Sequence, residues 1–177
     1  GQMTHCVECT DPVPFLVRTR AGLIAMTDEG EKTAPPVICV HGIPGSVRDF
    51  RYLAPRLLER FRVIRIELPG FGRSPRSRLR HVEALGEVPL AVAESLGLDR
   101  VILLGHSFGG APVMRAASRR PHRLSAVVLL ASIGTRIHRG FAMDPKLYKG
   151  LELALRMPLL RPRLYRVGVE RYEKIKL

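Results

Sequence analysis

Residues 101–110 read Val-Ile-Leu-Leu-Gly-His-Ser-Phe-Gly-Gly. The first four of them form an uninterrupted apolar run, which is typical of a buried strand. The pattern Gly-x-Ser-x-Gly follows at once, and the residues after it, Ala111 to Ser118, predict a helix. A serine between such a strand and such a helix lies on a sharp turn, with its hydroxyl raised above the sheet. The stretch therefore predicts that Ser107 is a nucleophile.

Gly105 and Gly109 flank this serine, two residues away on either side. The backbone at such a turn passes close to itself, so both positions require small residues. The N–H groups at the start of the following helix point towards the serine, where they can stabilise an anion. A plainer interpretation remains open, in which both glycines serve an ordinary turn and Ser107 is a helix cap.

Strands and helices alternate along the rest of the chain. Runs without polar alternation predict strands buried on both faces, as in a parallel sheet covered by helices. Residues 28–31 are polar and predict a turn, and Pro55 marks either a first helical turn or a kink. The alternation predicts an α/β fold with a doubly wound, mostly parallel sheet. The expected elements are a hairpin over residues 14–32, strands over 37–40, 62–66, 101–104 and 124–131, and helices over 50–58, 82–98 and 111–118.

Composition and charge narrow the class of protein. The 177 residues, 46% hydrophobic and 25% charged, suit one globular domain with a core. No apolar run reaches the roughly 18 residues of a membrane span, and no secretory signal is visible, so we expect a cytoplasmic protein with no membrane contact. The formal net charge of +13 raises nucleic acid as a partner. Tryptophan is absent and no nucleic-acid module is recognisable, so this is the weakest hypothesis and no nucleic acid is expected.

Cysteine usage and cofactor motifs point away from metal and redox chemistry. Cys6 and Cys9 form a single Cys-x-x-Cys, half of a zinc site or a redox pair, with no second pair after it. Cys39 lies in an apolar run and is expected in the core. Neither a P-loop nor a dinucleotide fingerprint is present, so no cofactor and no metal are predicted.

Three Gly-containing loops each follow one of three apolar strands. They are His41 to Ser46 (His-Gly-Ile-Pro-Gly-Ser), Glu67 to Ser74 (Glu-Leu-Pro-Gly-Phe-Gly-Arg-Ser) and Gly105 to Gly110. In a doubly wound sheet these loops meet at the carboxyl edge, where ligands bind. In order and spacing the three motifs resemble the α/β-hydrolase superfamily, over roughly residues 13 to 134. Members usually carry Asp where this chain has Glu67, which is not a catalytic position in the family.

The resemblance implies a serine hydrolase that acts through an acyl-enzyme on Ser107. The N–H groups of Ile43 and Phe108 are implied as the oxyanion hole, the pair of donors that stabilises the negative oxygen of the intermediate. The implied substrate is a small molecule with an ester, lactone, thioester or amide bond. A serine nucleophile disfavours epoxide hydrolase and dehalogenase chemistry, whereas a cofactor-free oxygenase or perhydrolase stays open. The implied nucleophile elbow consists of Gly105, His106 and Gly109 around the serine.

The histidine and carboxylate that must activate the serine are not evident. His41 and His106 correspond to motif histidines that the family uses structurally, not as the base. The superfamily order is Ser, then acid, then His. His138 with Asp144 is the only downstream pair, and no predicted strand aims it at the serine.

The resemblance also implies how the chain is organised. Residues 1–134 correspond to the N-terminal part of the hydrolase core, and residues 135–177 resemble the start of a helical cap. The sheet is then incomplete at its C-terminal side, and Val127 to Leu130 would form an exposed apolar edge. We expect the front part of a serine hydrolase. The alternative is a non-catalytic binding protein, or an inactive fragment, that keeps the fold; the oligomeric state stays open.

Overall fold

A computed structural model describes residues 11–77, 79 and 82–132 of the chain. Four sequence-based predictions lie outside these residues. They are the Cys6–Cys9 pair, the domain boundary at residue 134, the cap over residues 135–177, and the pair His138 and Asp144. Among the described helices, none has the length and apolar character that crossing a membrane requires.

Six strands of the described residues form one mixed, mostly parallel sheet. Their spatial order is β1-β2-β4-β3-β5-β6. β2 is antiparallel to both of its neighbours, β1 and β4, whereas β4, β3, β5 and β6 run parallel. The predicted α/β class and the edge hairpin are confirmed. The strands are β1 (Phe15–Thr19), β2 (Gly22–Glu29), β3 (Pro36–Val40), β4 (Arg62–Glu67), β5 (Val101–His106) and β6 (Leu124–Leu130).

Helices cover the sheet, and one of them differs from its prediction. The helix expected over residues 82–98 is divided at Gly86, where a Cβ would lie 2.7 Å from the Arg115 side chain. Pro89 lies in the first turn of the second half. Proline is tolerated there because N–H groups of the first turn make no hydrogen bond within the helix. Pro55 likewise begins a short helix. The helices are α1 (Ala54–Leu57), α2 (Val82–Leu85), α3 (Glu87–Ser95) and α4 (Gly110–Arg119), with 3-10 turns at Val47–Phe50, Ser107–Gly109 and Pro121–Arg123.

The central strands are buried on both faces, as their unbroken apolar runs predict. In β3, Ile38 packs in the cluster that includes residues of α3 and α4, whereas Cys39 faces Phe50 and Ala54. Burial raises the pKa of the Cys39 thiol to about 12, so this cysteine is an inert core residue, as expected. Two packed faces explain why β3 contains no polar position.

Charged side chains extend β2 beyond its predicted end. Residues 28–31 were expected to form a turn, but β2 continues through Glu29. Arg62 of β4 donates two hydrogen bonds to Asp28, both of 2.8 Å, and these hold the pKa of Asp28 below its usual value. Arg65 donates to Glu29 at 2.8 and 2.9 Å. These paired charges satisfy each other next to the core, so a polar sequence continues the strand.

β6 forms the other edge of the described sheet. It pairs with β5, and its apolar side chains from Val127 to Leu130 are 37–43% exposed. The predicted exposure of this apolar strand is therefore confirmed.

Candidate active site

Ser107 lies on a sharp turn between β5 and α4. β5 ends at His106, and the backbone of Ser107 adopts a φ of 51°. Residues other than glycine rarely enter this left-handed region, which costs them about 1–2 kcal/mol. Such local strain is found where a turn must present a functional side chain. The 3-10 turn Ser107–Gly109 then leads directly into α4.

The glycines around Ser107 allow close backbone contacts. A Cβ on Gly105 would lie 2.7 Å from the carbonyl oxygen of Gly109. A Cβ on Gly109 would overlap the carbonyl oxygen of Val40 and lie 2.5 Å from that of His41. No L side chain fits at such separations, so both positions require glycine. The start of α4 can therefore approach the end of β3.

The loop after β3 passes directly alongside Ser107. A Cβ on Gly42 would lie 3.1 Å from the Ser107 Cβ and 3.5 Å from its Oγ. The next residue, Ile43, is 44% exposed. The backbone of this loop is thus close enough to the serine hydroxyl for a small reactant to contact both.

His41 fixes the orientation of the Gly42–Ile43 peptide. Its ring is buried, and Nε2 accepts the backbone N–H of Leu68 at 3.0 Å. Nδ1 therefore carries the proton and donates to the carbonyl oxygen of Gly42 at 2.6 Å. In a trans peptide the N–H points opposite to the carbonyl, so holding the Gly42 oxygen also sets the direction of the Ile43 N–H. Both ring nitrogens are thereby engaged, which makes His41 a structural residue.

We expect His41 to remain neutral, with its proton on Nδ1, at pH values where an exposed histidine is charged. Burial lowers the pKa of His41, because the charged ring would lose solvent. The unfolded chain binds a proton near pH 6.5, so the unfolding free energy should fall as the pH drops from about 6.5 through the lower folded-state pKa. Ring ¹⁵N chemical shifts and urea unfolding across this range measure both effects.

The exposed His122 is the matched control. His41→Gln should remove part of the pH dependence of stability, whereas His122→Gln should leave it unchanged. A His41 ring that titrates at the ordinary value, or that carries its proton on Nε2, would contradict this assignment.

Glu67 joins the loops that follow β3 and β4. It is only 2% exposed, and its carboxylate accepts the N–H groups of Val47 at 3.4 Å and Arg73 at 2.6 Å. Gly72, with a φ of +52°, packs directly against this carboxylate. The position at which the chain departs from the usual family residue is therefore a buried contact between two loops of the site.

Asp49 was missed by the sequence analysis. Its carboxylate accepts the N–H of Gly42 at 3.4 Å and that of Ser46 at 3.3 Å. Ser46 in turn accepts the N–H of Arg48 at 3.2 Å, which completes a capping box. The spacing Ser-x-x-Asp ahead of an apolar residue was the available signal for this contact.

Among residues 11–77, 79 and 82–132, no histidine forms a hydrogen bond with the Ser107 hydroxyl. His41 is fully engaged, as shown above. The Nδ1 atom of His106 is buried without a hydrogen bond, 3.8 Å from Asp49. His122 is exposed and follows the far end of α4, a helix about 15 Å long. The same residues contain no group of three or more His, Cys, Asp or Glu that could hold a metal ion.

Comparison with known proteins identifies the family of the chain. The family model described as "alpha/beta hydrolase fold" matches residues 35–157. The uncharacterised hydrolase YugF of Bacillus subtilis is 36% identical over 100 residues, which cover 55% of this chain and 37% of YugF. The dihydrolipoyllysine-residue acetyltransferase component of the acetoin cleaving system of Pseudomonas putida is 29% identical over 154 residues, or 86% of this chain and 40% of that protein.

A solved structure has a similar fold. Carboxylesterase CesB of Bacillus subtilis superposes with a TM-score of 0.66 at 27% identity, over 77% of this chain and 47% of the esterase. The chain spans about two fifths of the length of the two curated relatives. The residues that the family model matches include strands β3 to β6, the turn at Ser107 and the loop at Gly42. The chain belongs to the α/β hydrolase fold family.

Proposed function

We propose that the protein is a serine hydrolase that cleaves a small-molecule ester or a related acyl compound through an acyl-enzyme on Ser107. The observation that carries this proposal is the left-handed backbone of Ser107 between β5 and α4, with the Gly42 backbone beside its hydroxyl. Membership of a hydrolase family supports the same conclusion. The likeness to a carboxylesterase favours an ester substrate within that class.

The reaction begins when the Ser107 Oγ attacks the carbonyl carbon of the substrate. A bond forms between them, and the carbonyl oxygen becomes a negatively charged oxyanion. The leaving group then departs with a proton, and water later releases the acyl group from the serine. Each step requires that the negative oxygen be stabilised and that the serine proton be accepted.

We assign the oxyanion hole to the backbone N–H groups of Ile43 and Phe108. The peptide before Ile43 is oriented by His41, as derived above. Phe108 lies in the first turn after β5, where N–H groups have no partner within the helix. Each donor of this kind typically contributes about 3–4 kcal/mol to the transition state, because it is aimed in advance at the developing charge.

We place the general base and its carboxylate outside the described residues. The chemistry requires a histidine within hydrogen-bond reach of Oγ, and a carboxylate that orients it. None of the three described histidines meets this requirement. This observation also favours the second candidate function, a non-catalytic protein that binds small molecules in the same site.

A covalent serine probe applied to the complete protein distinguishes the two functions. We expect a fluorophosphonate to form one adduct, located by mass spectrometry on Ser107, and p-nitrophenyl acetate to be hydrolysed. Failure of the native protein to react with either reagent would favour the binding protein. An adduct on another serine would contradict the assignment of the nucleophile.

A further inference from the structure

Asp49 lies between the two loops that the proposed function requires. It belongs to the 3-10 turn Val47–Phe50, in the connection that follows β3. One oxygen, Oδ2, accepts the N–H of Gly42, and Oδ1 accepts the N–H of Ser46. A single carboxylate therefore spans both ends of the loop that carries Ile43.

The same carboxylate approaches the residue that precedes the serine. Oδ2 lies 3.8 Å from the Nδ1 atom of His106. That nitrogen is buried and makes no hydrogen bond within the described residues, and the Asp49 carboxylate is a polar group beside it. Asp49 is thus close to the Gly42 loop on one side and to the turn of Ser107 on the other.

Gly45 lies directly against the Asp49 carboxylate. A Cβ on Gly45 would lie 2.6 Å from Oδ2 of Asp49 and 2.5 Å from the carbonyl oxygen of Gly42. The loop therefore folds tightly over the carboxylate, and any larger residue at position 45 would displace it. Close packing of this kind limits the directions in which the carboxylate can turn.

The turn that carries Asp49 is anchored to the sheet beneath it. Arg65 donates a hydrogen bond to the carbonyl oxygen of Val47 at 3.2 Å, and the N–H of Val47 donates to Glu67 at 3.4 Å. Arg65 and Glu67 are two residues apart on β4, and each is 2% exposed. Both backbone polar groups of Val47 are held by side chains of a central strand, so the turn that carries Asp49 is fixed to the sheet.

We propose that Asp49 is a positioning residue for the oxyanion hole. Its carboxylate holds the Gly42 end of the loop after β3 against the turn of Ser107. This inference rests on the proposed function. Asp49 acts on the reaction through the backbone of Gly42, and it does not touch the substrate. Its loss should therefore reduce the rate of acyl transfer without weakening substrate binding.

The test compares Asp49→Ala and Asp49→Asn with Ser46→Ala in the complete protein. Ser46→Ala removes the hydroxyl that caps the same turn but leaves the Asp49 carboxylate, so it controls for loss of the cap. Glu59→Gln changes an exposed carboxylate of a surface ion pair and controls for charge. The measurements are kcat and KM for p-nitrophenyl acetate, the rate of fluorophosphonate labelling, and the hydrogen exchange of the Gly42 amide by NMR.

We expect Asp49→Ala to lower kcat and the labelling rate by about tenfold or more, less than the 10²–10³-fold loss of a whole oxyanion donor. KM should stay within about twofold of the native value, because Asp49 does not contribute to binding of the substrate in its ground state. The kcat of Asp49→Asn should fall between those of the native protein and of Asp49→Ala. The amide oxygen of asparagine can accept one N–H, whereas its nitrogen can accept none. The Gly42 amide should exchange faster in both variants, and Ser46→Ala and Glu59→Gln should resemble the native protein.

Equal loss of kcat in Asp49→Ala and Ser46→Ala, or unchanged protection of the Gly42 amide, would overturn the proposal. If the native protein neither hydrolyses nor labels, the proposed function fails, and the exchange of Gly42 still decides whether Asp49 positions the loop. If Asp49→Ala does not fold, the same measurements on Asp49→Asn decide the question.

Discussion

Replacement of Ser107 by alanine is expected to abolish covalent labelling and to lower kcat by about 10³-fold or more. The hydroxyl is the proposed nucleophile, and the loss of a nucleophilic serine is among the largest single effects in enzymes of this chemistry. Activity that remains would come from binding and from the oxyanion donors alone. Labelling with a fluorophosphonate and hydrolysis of p-nitrophenyl acetate measure both quantities in the complete protein.

The fold should tolerate this change. Alanine keeps the Cβ of serine, so the cost of the left-handed backbone at φ 51° is already present in the native protein. The unfolding free energy should change by less than about 1 kcal/mol. Ser118→Ala, which removes an exposed hydroxyl bonded to the carbonyl of Arg115, is the matched control and should leave activity unchanged. Full labelling of the Ser107→Ala protein would exclude Ser107 as the nucleophile.

Replacement of Gly109 by alanine is expected to lower the unfolding free energy by about 3 kcal/mol or more, or to prevent folding. The backbone of Gly109 has a φ of −58°, which suits alanine. The cost therefore comes from space alone, because the added Cβ would overlap the carbonyl oxygen of Val40 and approach that of His41. Both neighbours are main-chain atoms at the end of β3, so relief requires the strand and α4 to separate. Urea unfolding measures the loss.

Gly97 provides the control for this prediction. Its φ is +66°, and nothing lies within 4 Å of the position that a Cβ would occupy. Gly97→Ala therefore tests backbone strain without a clash, and we expect it to cost about 1–2 kcal/mol. If Gly109→Ala costs no more than Gly97→Ala, the close contact between β3 and the start of α4 is not the reason for glycine at position 109.

The sheet could be predicted from the sequence because its signals are local. Runs such as Val37 to Val40 have no polar residue, and a strand buried on both faces needs none. The end of β2 could not be predicted, because Asp28 and Glu29 are paired by Arg62 and Arg65 of a distant strand. From the sequence alone these polar residues indicate a turn. Only the folded chain shows that the two arginines pair with them and allow the strand to continue.

Two further features could not be predicted from the sequence for the same reason. At the break, Gly86 lies against the Arg115 side chain, and Arg115 belongs to another helix. Helical periodicity over residues 82–98 contains no information about that neighbour, so it predicted one continuous helix. Glu67 was recognised as an unusual residue, but its contacts with Val47 and Arg73 join two loops and appear only in the folded chain.

Local patterns in the chain were sufficient for the α/β class, for the edge hairpin and for the turn expected at Ser107, since each follows from residues adjacent in sequence. Folding was needed to bring Asp49 to Gly42 and His106, and to give His41 its two hydrogen-bond partners. These contacts join residues from separate strands and loops, and neither periodicity nor composition depends on such pairs. The proposed nucleophile could thus be identified from sequence, whereas the groups that hold its surroundings required the three-dimensional arrangement.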